Sequence, residues 1–202
     1  ITRPTMSERP KESWGSGDAY ELWVGRWSRI VGEAFVDWLA IPPGQTWGDV
    51  GCGTGALAGC ILGRSDPAGV LGVDRSKAYV CEARNRVGDA RARFEVGDAC
   101  ALPWTTATCD VTVSGLVLNF VPDADAMVRE MVRVTRPGGR VAAYVWDYAG
   151  GMQMIRHFWD VALALNRDDA QLDQAERFPL CQPDPLEQLF RRVGLNSVSV
   201  RA

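Results

Sequence analysis

Histidine is almost absent from this chain: His157 is the single one among 202 residues. The six cysteines, Cys52, Cys60, Cys81, Cys100, Cys109 and Cys181, include no C-x-x-C pair, so spacing assembles no zinc-type ligand set and no metal site is expected. No apolar run approaches the roughly 18 residues of a membrane span, and no membrane partner is expected. Charge of one sign is also missing, since 22 Lys and Arg against 25 Asp and Glu leave a net charge of −3. Such a balance gathers no phosphate backbone, which removes nucleic acid as the expected partner. There is no secretory signal segment, and the chain is long enough to bury a core without disulfides. The cysteines therefore read as reduced and the protein as cytoplasmic.

With 47% hydrophobic and 23% charged residues, the composition is that of one globular domain. Residues 1–18 carry prolines, glycines and serines without a periodic apolar face and read as a mobile N-terminal segment able to act as a lid. Residues 19–202 read as a single domain. The chain begins at Ile1 rather than Met and its last element is cut off at Ala202, so it is expected to be a portion of something longer.

From Tyr20 the apolar residues Leu22, Trp23, Trp27, Ile30, Val31, Ala34, Phe35, Trp38 and Leu39 recur at steps of three and four, the helical period, with a break at Gly25 and a stop at Pro42-Pro43-Gly44. Strand and helix patterns then alternate. Strands are expected over 46–50, 69–73, 93–96, 110–118 and 140–146, and helices over 56–63, 76–87 with Ser76 as N-cap, and 123–134 with a stop at Pro137-Gly138-Gly139. Residues 152–165 read as a helix. Asp184-Pro185 opens another with Leu186, Leu189, Phe190 and Val193 inward, closed by Gly194, and residues 196–200 begin one more strand. Strands separated by helices at this spacing call for right-handed crossovers and a doubly wound, mostly parallel sheet with helices on both faces.

The stretch Asp49-Val50-Gly51-Cys52-Gly53-Thr54-Gly55-Ala56 is a strand running through three alternating glycines into a helix. Such a turn lets backbone approach a ligand, and the helix start offers unpaired N–H groups. The same letters satisfy G-x-G-x-x-A, and Asp74 follows Gly55 at the distance where a ribose-binding carboxylate is wanted, so a nicotinamide dinucleotide stays possible. Two features weigh against it: Gly55 comes one place early, and Asp49 at the mouth of the loop repels a pyrophosphate while suiting a ligand with ammonium and sulfonium charge.

Asp49 to Gly55, Gly72-Val73-Asp74, Gly97-Asp98-Ala99 with Leu102-Pro103, and Arg133-Val134-Thr135-Arg136-Pro137-Gly138-Gly139 resemble, in order and spacing, the motifs of class I S-adenosylmethionine-dependent methyltransferases. The resemblance is nearest to the branch containing the quinone-biosynthesis C-methyltransferases. It implies a Rossmann-like fold with an N-terminal helical cap, S-adenosyl-L-methionine as cofactor and S-adenosyl-L-homocysteine as product. Its usual last strand, antiparallel between the fifth and sixth, is not found before Ala202.

The resemblance sets the methionine end of the cofactor along Gly51, Cys52, Gly53 and Gly55, with Asp49 near its amino group. Asp74, beside Arg75, takes the ribose hydroxyls, Asp98 and Ala99 the adenine edge, and Asn119 and Phe120 lie by the methyl. Tyr20, Trp23, Arg26 and Ser28 become candidates to close the site, Arg26 as partner of the cofactor carboxylate.

Structural alternatives stand beside each role: Asp49 capping a turn, Asp74 and Asp98 as solvated loop carboxylates, Asn119 satisfying strand-end backbone, Tyr20 and Arg26 as a surface pair. For acceptor-side chemistry the candidates are His157, Asn119 and Tyr20, with Asp147 and Tyr148 near the fifth strand's end. His157 as a packed or surface histidine and Asp147 as a turn cap are the plainer readings. The apolar residues Trp146, Met152, Met154, Phe158 and Trp159 favour a small, partly apolar organic acceptor. The other two readings are an NAD(P)-dependent oxidoreductase and a non-catalytic S-adenosylmethionine-binding protein.

Overall fold

The computed structural model describes residues 26–202, with side chains from Trp27 onward. Helix α1 (Arg26–Leu39) comes first. Then follow β1 (Thr46–Val50), α2 (Ala56–Arg64), β2 (Gly69–Asp74), α3 (Lys77–Val87), β3 (Ala92–Val96) and β4 (Cys109–Gly115). The chain continues through α4 (Ala124–Val134), β5 (Thr135–Tyr144), α5 (Gln153–Leu165), the short α6 (Gln174–Arg177) and α7 (Pro183–Arg192). The strands form one parallel sheet in the order β3-β2-β1-β4-β5.

Local chemistry accounts for the helix ends. Ser76 Oγ accepts from the Tyr79 amide at 3.3 Å to start α3, and Gly88, at φ 59°, ends it. Asp123 caps α4 by accepting from the Ala126 amide at 2.8 Å. In α7, Leu186, Leu189 and Phe190 are buried and Gly194, at φ 92°, turns the chain away.

Two cores sandwich the sheet. Trp47, Val70, Phe94 and Val113 meet α1, α2 and α3 through Phe35, Leu39, Ile61 and Val80. Val50 and Val73 point the other way, onto Met127, Met131 and Leu189 of α4 and α7. Each such buried side chain contributes about 1.5–3 kcal/mol relative to exposure. As the central strand, β1 is buried from Trp47 to Val50, which explains its near-continuous apolar reading.

The sequence reading needs three adjustments. Residues 116–118 leave the strand: Leu116 takes φ 60° and a 3-10 turn, Leu118–Phe120, follows. β5 begins at Thr135 rather than at residue 140, because the ladder to β4 pairs Cys109 with Thr135 and then Val111 with Arg140, so Pro137-Gly138-Gly139 is a bulge inside the strand. The expected strand at 196–200 does not form. Val198 instead packs against the core beneath α7. The first part of the N-terminal helical reading, with Gly25, lies outside the described residues.

Candidate functional site

Strand order reverses between β1, which leads through α2 to β2 on one side, and β4 on the other. Open α/β sheets take their ligands in the crevice beyond the strand C-termini at that reversal. Five loops meet there, and backbone hydrogen bonds tie them. The amides of Gly51 and Cys52 donate to the Val73 carbonyl at 2.8 and 2.9 Å, and the Gly97 amide donates to the Asp74 carbonyl at 3.1 Å. The buried Ser114 hydroxyl donates to the Val50 carbonyl at 2.8 Å, fixing the ends of β1 and β4 to each other, and the Leu116 amide bonds the Tyr144 carbonyl at 2.8 Å.

The three loop glycines adopt φ of 78°, 52° and 86° at Gly51, Gly53 and Gly55. A Cβ at Gly51 would stand 2.6 Å from Val117 Cγ2, and one at Gly55 2.7 Å from Val87 Cγ2. A Cβ at Gly53 would meet nothing within 4 Å. Gly51 and Gly55 therefore serve close packing, whereas Gly53 faces open space at the start of α2, where the helix dipole and unpaired amides favour polar ligand groups.

Asp49 is 1% exposed, and among the described residues neither of its carboxylate oxygens has a hydrogen-bond partner. The Ala58 amide in the first turn of α2 favours the charged form without completing a hydrogen bond. Burial, and next the charge of Asp74, push the Asp49 carboxyl up to about 7. A buried carboxylate without a donor is costly unless something cationic or hydrogen-bonding meets it. Burial likewise holds the Cys52 thiol well above its ordinary range, with Asp49 and Asp74 adding to the effect.

Asp74 is half-buried at the end of β2. One oxygen accepts from the Gly53 amide at 3.0 Å and the other from the Ser76 amide at 2.8 Å. A carboxylate has about four acceptor positions, so two stay open to hydroxyl donors. Arg75 beside it is exposed. Asp98 is exposed after β3 and accepts from the Cys100 amide at 2.9 Å, while Ala99 is half-buried.

Val117, wedged against Gly51, opens the turn that carries Asn119 and Phe120. The Asn119 Nδ2 atom is buried and has no partner among the described residues. The Phe120 ring meets Phe178 edge-on at 5.2 Å, Phe178 lies 5.7 Å from Tyr148, and Arg177 sits 5.0 Å over the Phe178 ring. The sequence carried no signal for Phe178 or Arg177, because neither sits in a motif or a periodic run. Behind this layer, Arg156 of α5 bonds the buried Asp173 at 2.6 Å, and the Trp159 indole donates to Gln174. Asp147 caps its own turn, accepting from the amides of Ala149, Gly150 and Gly151 at 3.0, 2.9 and 2.7 Å.

Thus the structure brings Asp49, the glycine loop, Asp74, Asp98, Ala99, Asn119 and Phe120 to one crevice. His157 is not part of that constellation. Its side chain is 80% exposed on α5, and its Nδ1 lies 4.0 Å from Asp160. Tyr20 and Trp23 lie outside the described residues, as does the side chain of Arg26; Ser28 is buried in α1.

Residues 48–143 match the family described as methyltransferase domain. Over 203 aligned residues the chain is 37% identical to the ubiquinone/menaquinone biosynthesis C-methyltransferase of Cereibacter sphaeroides, covering 92% of this chain and 77% of the relative. Among solved structures it resembles that of a Haloferax volcanii methyltransferase complexed with the Trm112 methyltransferase activator (TM-score 0.70, 20% identity, 92% of this chain and 76% of that one). It also resembles an S-adenosylmethionine-dependent methyltransferase of Thermotoga maritima (TM-score 0.63, 20% identity, 89% and 78%). At those identities the structural likeness speaks for the fold.

The chain belongs to the class I S-adenosylmethionine-dependent methyltransferases. Within that class it resembles the quinone-biosynthesis methyltransferases. Its cofactor is S-adenosylmethionine and the product S-adenosylhomocysteine, which sets aside the nicotinamide and non-catalytic readings. Among the described residues no helix is long and apolar enough to cross a membrane.

Proposed function

We propose that this methyltransferase alkylates a small, partly apolar organic acceptor held between the glycine loop and the Phe120, Phe178 and Tyr148 layer. The observation that carries the cofactor half is the donor-less buried carboxylate of Asp49 under a loop whose Gly53 opens onto free space. That pair fits a cationic ligand with a nucleoside attached. In this reading Gly51, Cys52, Gly53 and Gly55 line the methionine end and Asp49 faces its ammonium. Asp74 uses its two free acceptor positions for the ribose hydroxyls, with Arg75 at the rim. Asp98 accepts from the adenine amine next to Ala99, and Arg26, with Tyr20 and Trp23, closes over the carboxylate.

Bound there, the cofactor supplies a methyl group on a sulfonium, a leaving group that needs no further activation. The protein's task is alignment and exclusion of water. Asn119 offers its unpartnered Nδ2 to an acceptor oxygen, orienting the acceptor. Phe120, Phe178 and Tyr148 supply apolar faces that also favour positive charge. His157, standing in solvent, receives no role. The relative's name, a C-methyltransferase of quinone biosynthesis, makes quinone-like ring compounds the first acceptors to assay. The same proposal puts the enzyme in the reducing cytoplasm with its six free cysteines, and leaves nucleic acid out as acceptor.

The test is calorimetric titration with S-adenosylmethionine, S-adenosylhomocysteine and NADH, then mass spectrometry of acceptors for a methyl gain. Micromolar binding of the first two, silence from NADH and methylated ring compounds are expected. Methylation of RNA with inert small acceptors would overturn the acceptor reading, and unchanged cofactor affinity in Asp74→Ala the cofactor one.

A further inference from the structure

Helix α6 is a single turn of four residues, Gln174–Arg177, far below the roughly 12–15 residues at which a helix holds itself in water. It nevertheless leads straight into Phe178, whose ring meets Phe120 and Tyr148 and whose amide donates to the Gln174 carbonyl at 2.9 Å. Its place is therefore set from outside. On the downstream side the anchor is apolar: Leu180 packs on the core of α4 and α7, and Cys181 is buried. On the upstream side the anchor is polar and comes from α5. Asp173, 3% exposed, accepts from the Ala175 amide at 2.9 Å with one oxygen, capping α6, and from Arg156 at 2.6 Å with the other. One turn further along α5, on the same face, the Trp159 indole donates to the side-chain oxygen of Gln174, the first residue of α6.

Stability is a poor explanation for the Arg156–Asp173 pair. Its side chains are 19% and 5% exposed, and at such burial the desolvation of two charges offsets most of their attraction, so an apolar pair of similar volume would hold the fold as well. Arg156 also keeps its Nε buried without a hydrogen-bond partner among the described residues, a further cost. What an apolar contact lacks is direction. A guanidinium bonded to a carboxylate holds one geometry, whereas apolar surfaces slide over one another. Here that fixed geometry joins α5 to the residue that starts α6.

We propose that Arg156 and Asp173 are positioning residues for the acceptor: through the cap of α6 they hold the Phe178 ring against Phe120 and Tyr148, and so set how tightly the acceptor is bound. The inference rests on the acceptor reading of that aromatic layer and leaves the glycine loop out of account.

Two measurements separate the pair from that reading. Phe178 is replaced by 4-fluorophenylalanine and its fluorine resonance recorded, and methylation of 1,4-dihydroxynaphthalene is followed by release of S-adenosylhomocysteine. The double variant Arg156→Met/Asp173→Asn removes both charges, leaves neither buried alone and retains a cap, since asparagine caps a helix as well as aspartate. In it the resonance is expected to move toward its position in the denatured chain. KM for the ring probe should rise about tenfold, with kcat and the calorimetric cofactor Kd each within about twofold. Arg156→Lys, whose ammonium still reaches one carboxylate oxygen, should recover most of both effects. Asp173→Asn alone is read in the same way if the double variant fails to fold. A resonance unmoved in the double variant overturns the proposal. So does a KM unchanged there but raised in Phe178→Ala, and so does a cofactor Kd that rises in step with KM, the mark of general loosening. A KM unchanged in Phe178→Ala as well, or a wild type that leaves the probe unmethylated, counts against the acceptor reading instead, and the fluorine shift then decides whether the pair holds Phe178.

Discussion

The two walls of the crevice are built from different materials. The wall proposed for the cofactor, from β1 through β3, is made of backbone: glycine φ angles, amides donating to the Val73 carbonyl and to Asp74, and a helix start. The wall proposed for the acceptor is made of side chains that come from afar, Phe120 from the end of β4, Tyr148 from beyond β5 and Phe178 from past α6. A backbone wall tolerates few residue types and spells itself out as a motif. A side-chain wall can be built in many ways and leaves no fixed spelling.

The largest effect that would break this contrast belongs to Gly51. Its φ of 78° and the 2.6 Å approach to Val117 leave no room for a methyl group. Gly51→Ala should cost about 2–3 kcal/mol of stability and lower cofactor affinity more than ~100-fold by calorimetry. Next comes Asp74→Ala, which removes the acceptor of the Gly53 and Ser76 amides. Cofactor affinity should fall about 100-fold while stability drops by only ~1 kcal/mol.

Asp49 sharpens the comparison through pH. Its carboxyl is raised from 3.8 to about 7 by burial and by Asp74, so between those values the native chain holds a proton that the unfolded chain has released. Stability attributable to Asp49 is present below about pH 4 and is lost as pH rises toward 7. The paired carboxyls of Asp110 and Glu130 are lowered instead, so they lose their contribution only in acid below this window. Melting followed from pH 5 to pH 8 should show Asp49→Asn gaining on wild type by on the order of 5–10 °C. A parallel pair of curves would refute the assignment.

On the other wall, Phe178→Ala should leave the cofactor Kd within about twofold and reduce kcat/KM for a ring acceptor about tenfold, by loss of its contacts to Phe120 and Tyr148. A change in cofactor Kd instead would erase the distinction between the walls. Smallest of all, His157→Ala should leave kcat within about twofold, given its 80% exposure.

The legibility of the sequence follows the same division. β1 and its glycine loop, Ser76 as a cap, and the alternation of strands with helices were readable because each rests on local backbone demands. The bulge at Pro137-Gly138-Gly139 was read as a stop because those residues signal a chain reversal, while their pairing partner, the start of β4, lies more than twenty residues away. The Asp147 turn was readable as a cap, since its three amides follow within four residues. The Arg156–Asp173 bond and the Phe178 contacts were not, being fixed by packing between distant segments.

The Asp147 turn carries a consequence for how such an enzyme changes over generations. One carboxylate holding three consecutive amides is a self-contained joint: it starts the segment after β5 with hydrogen bonds made inside its own turn. The stretch between that joint and residue 179 can be rewritten, lengthened or exchanged while α7 keeps its place in the core beneath β1 and β2. If the proposed walls hold, new acceptor preferences arise by grafting behind Asp147, with the glycine loop inherited unaltered.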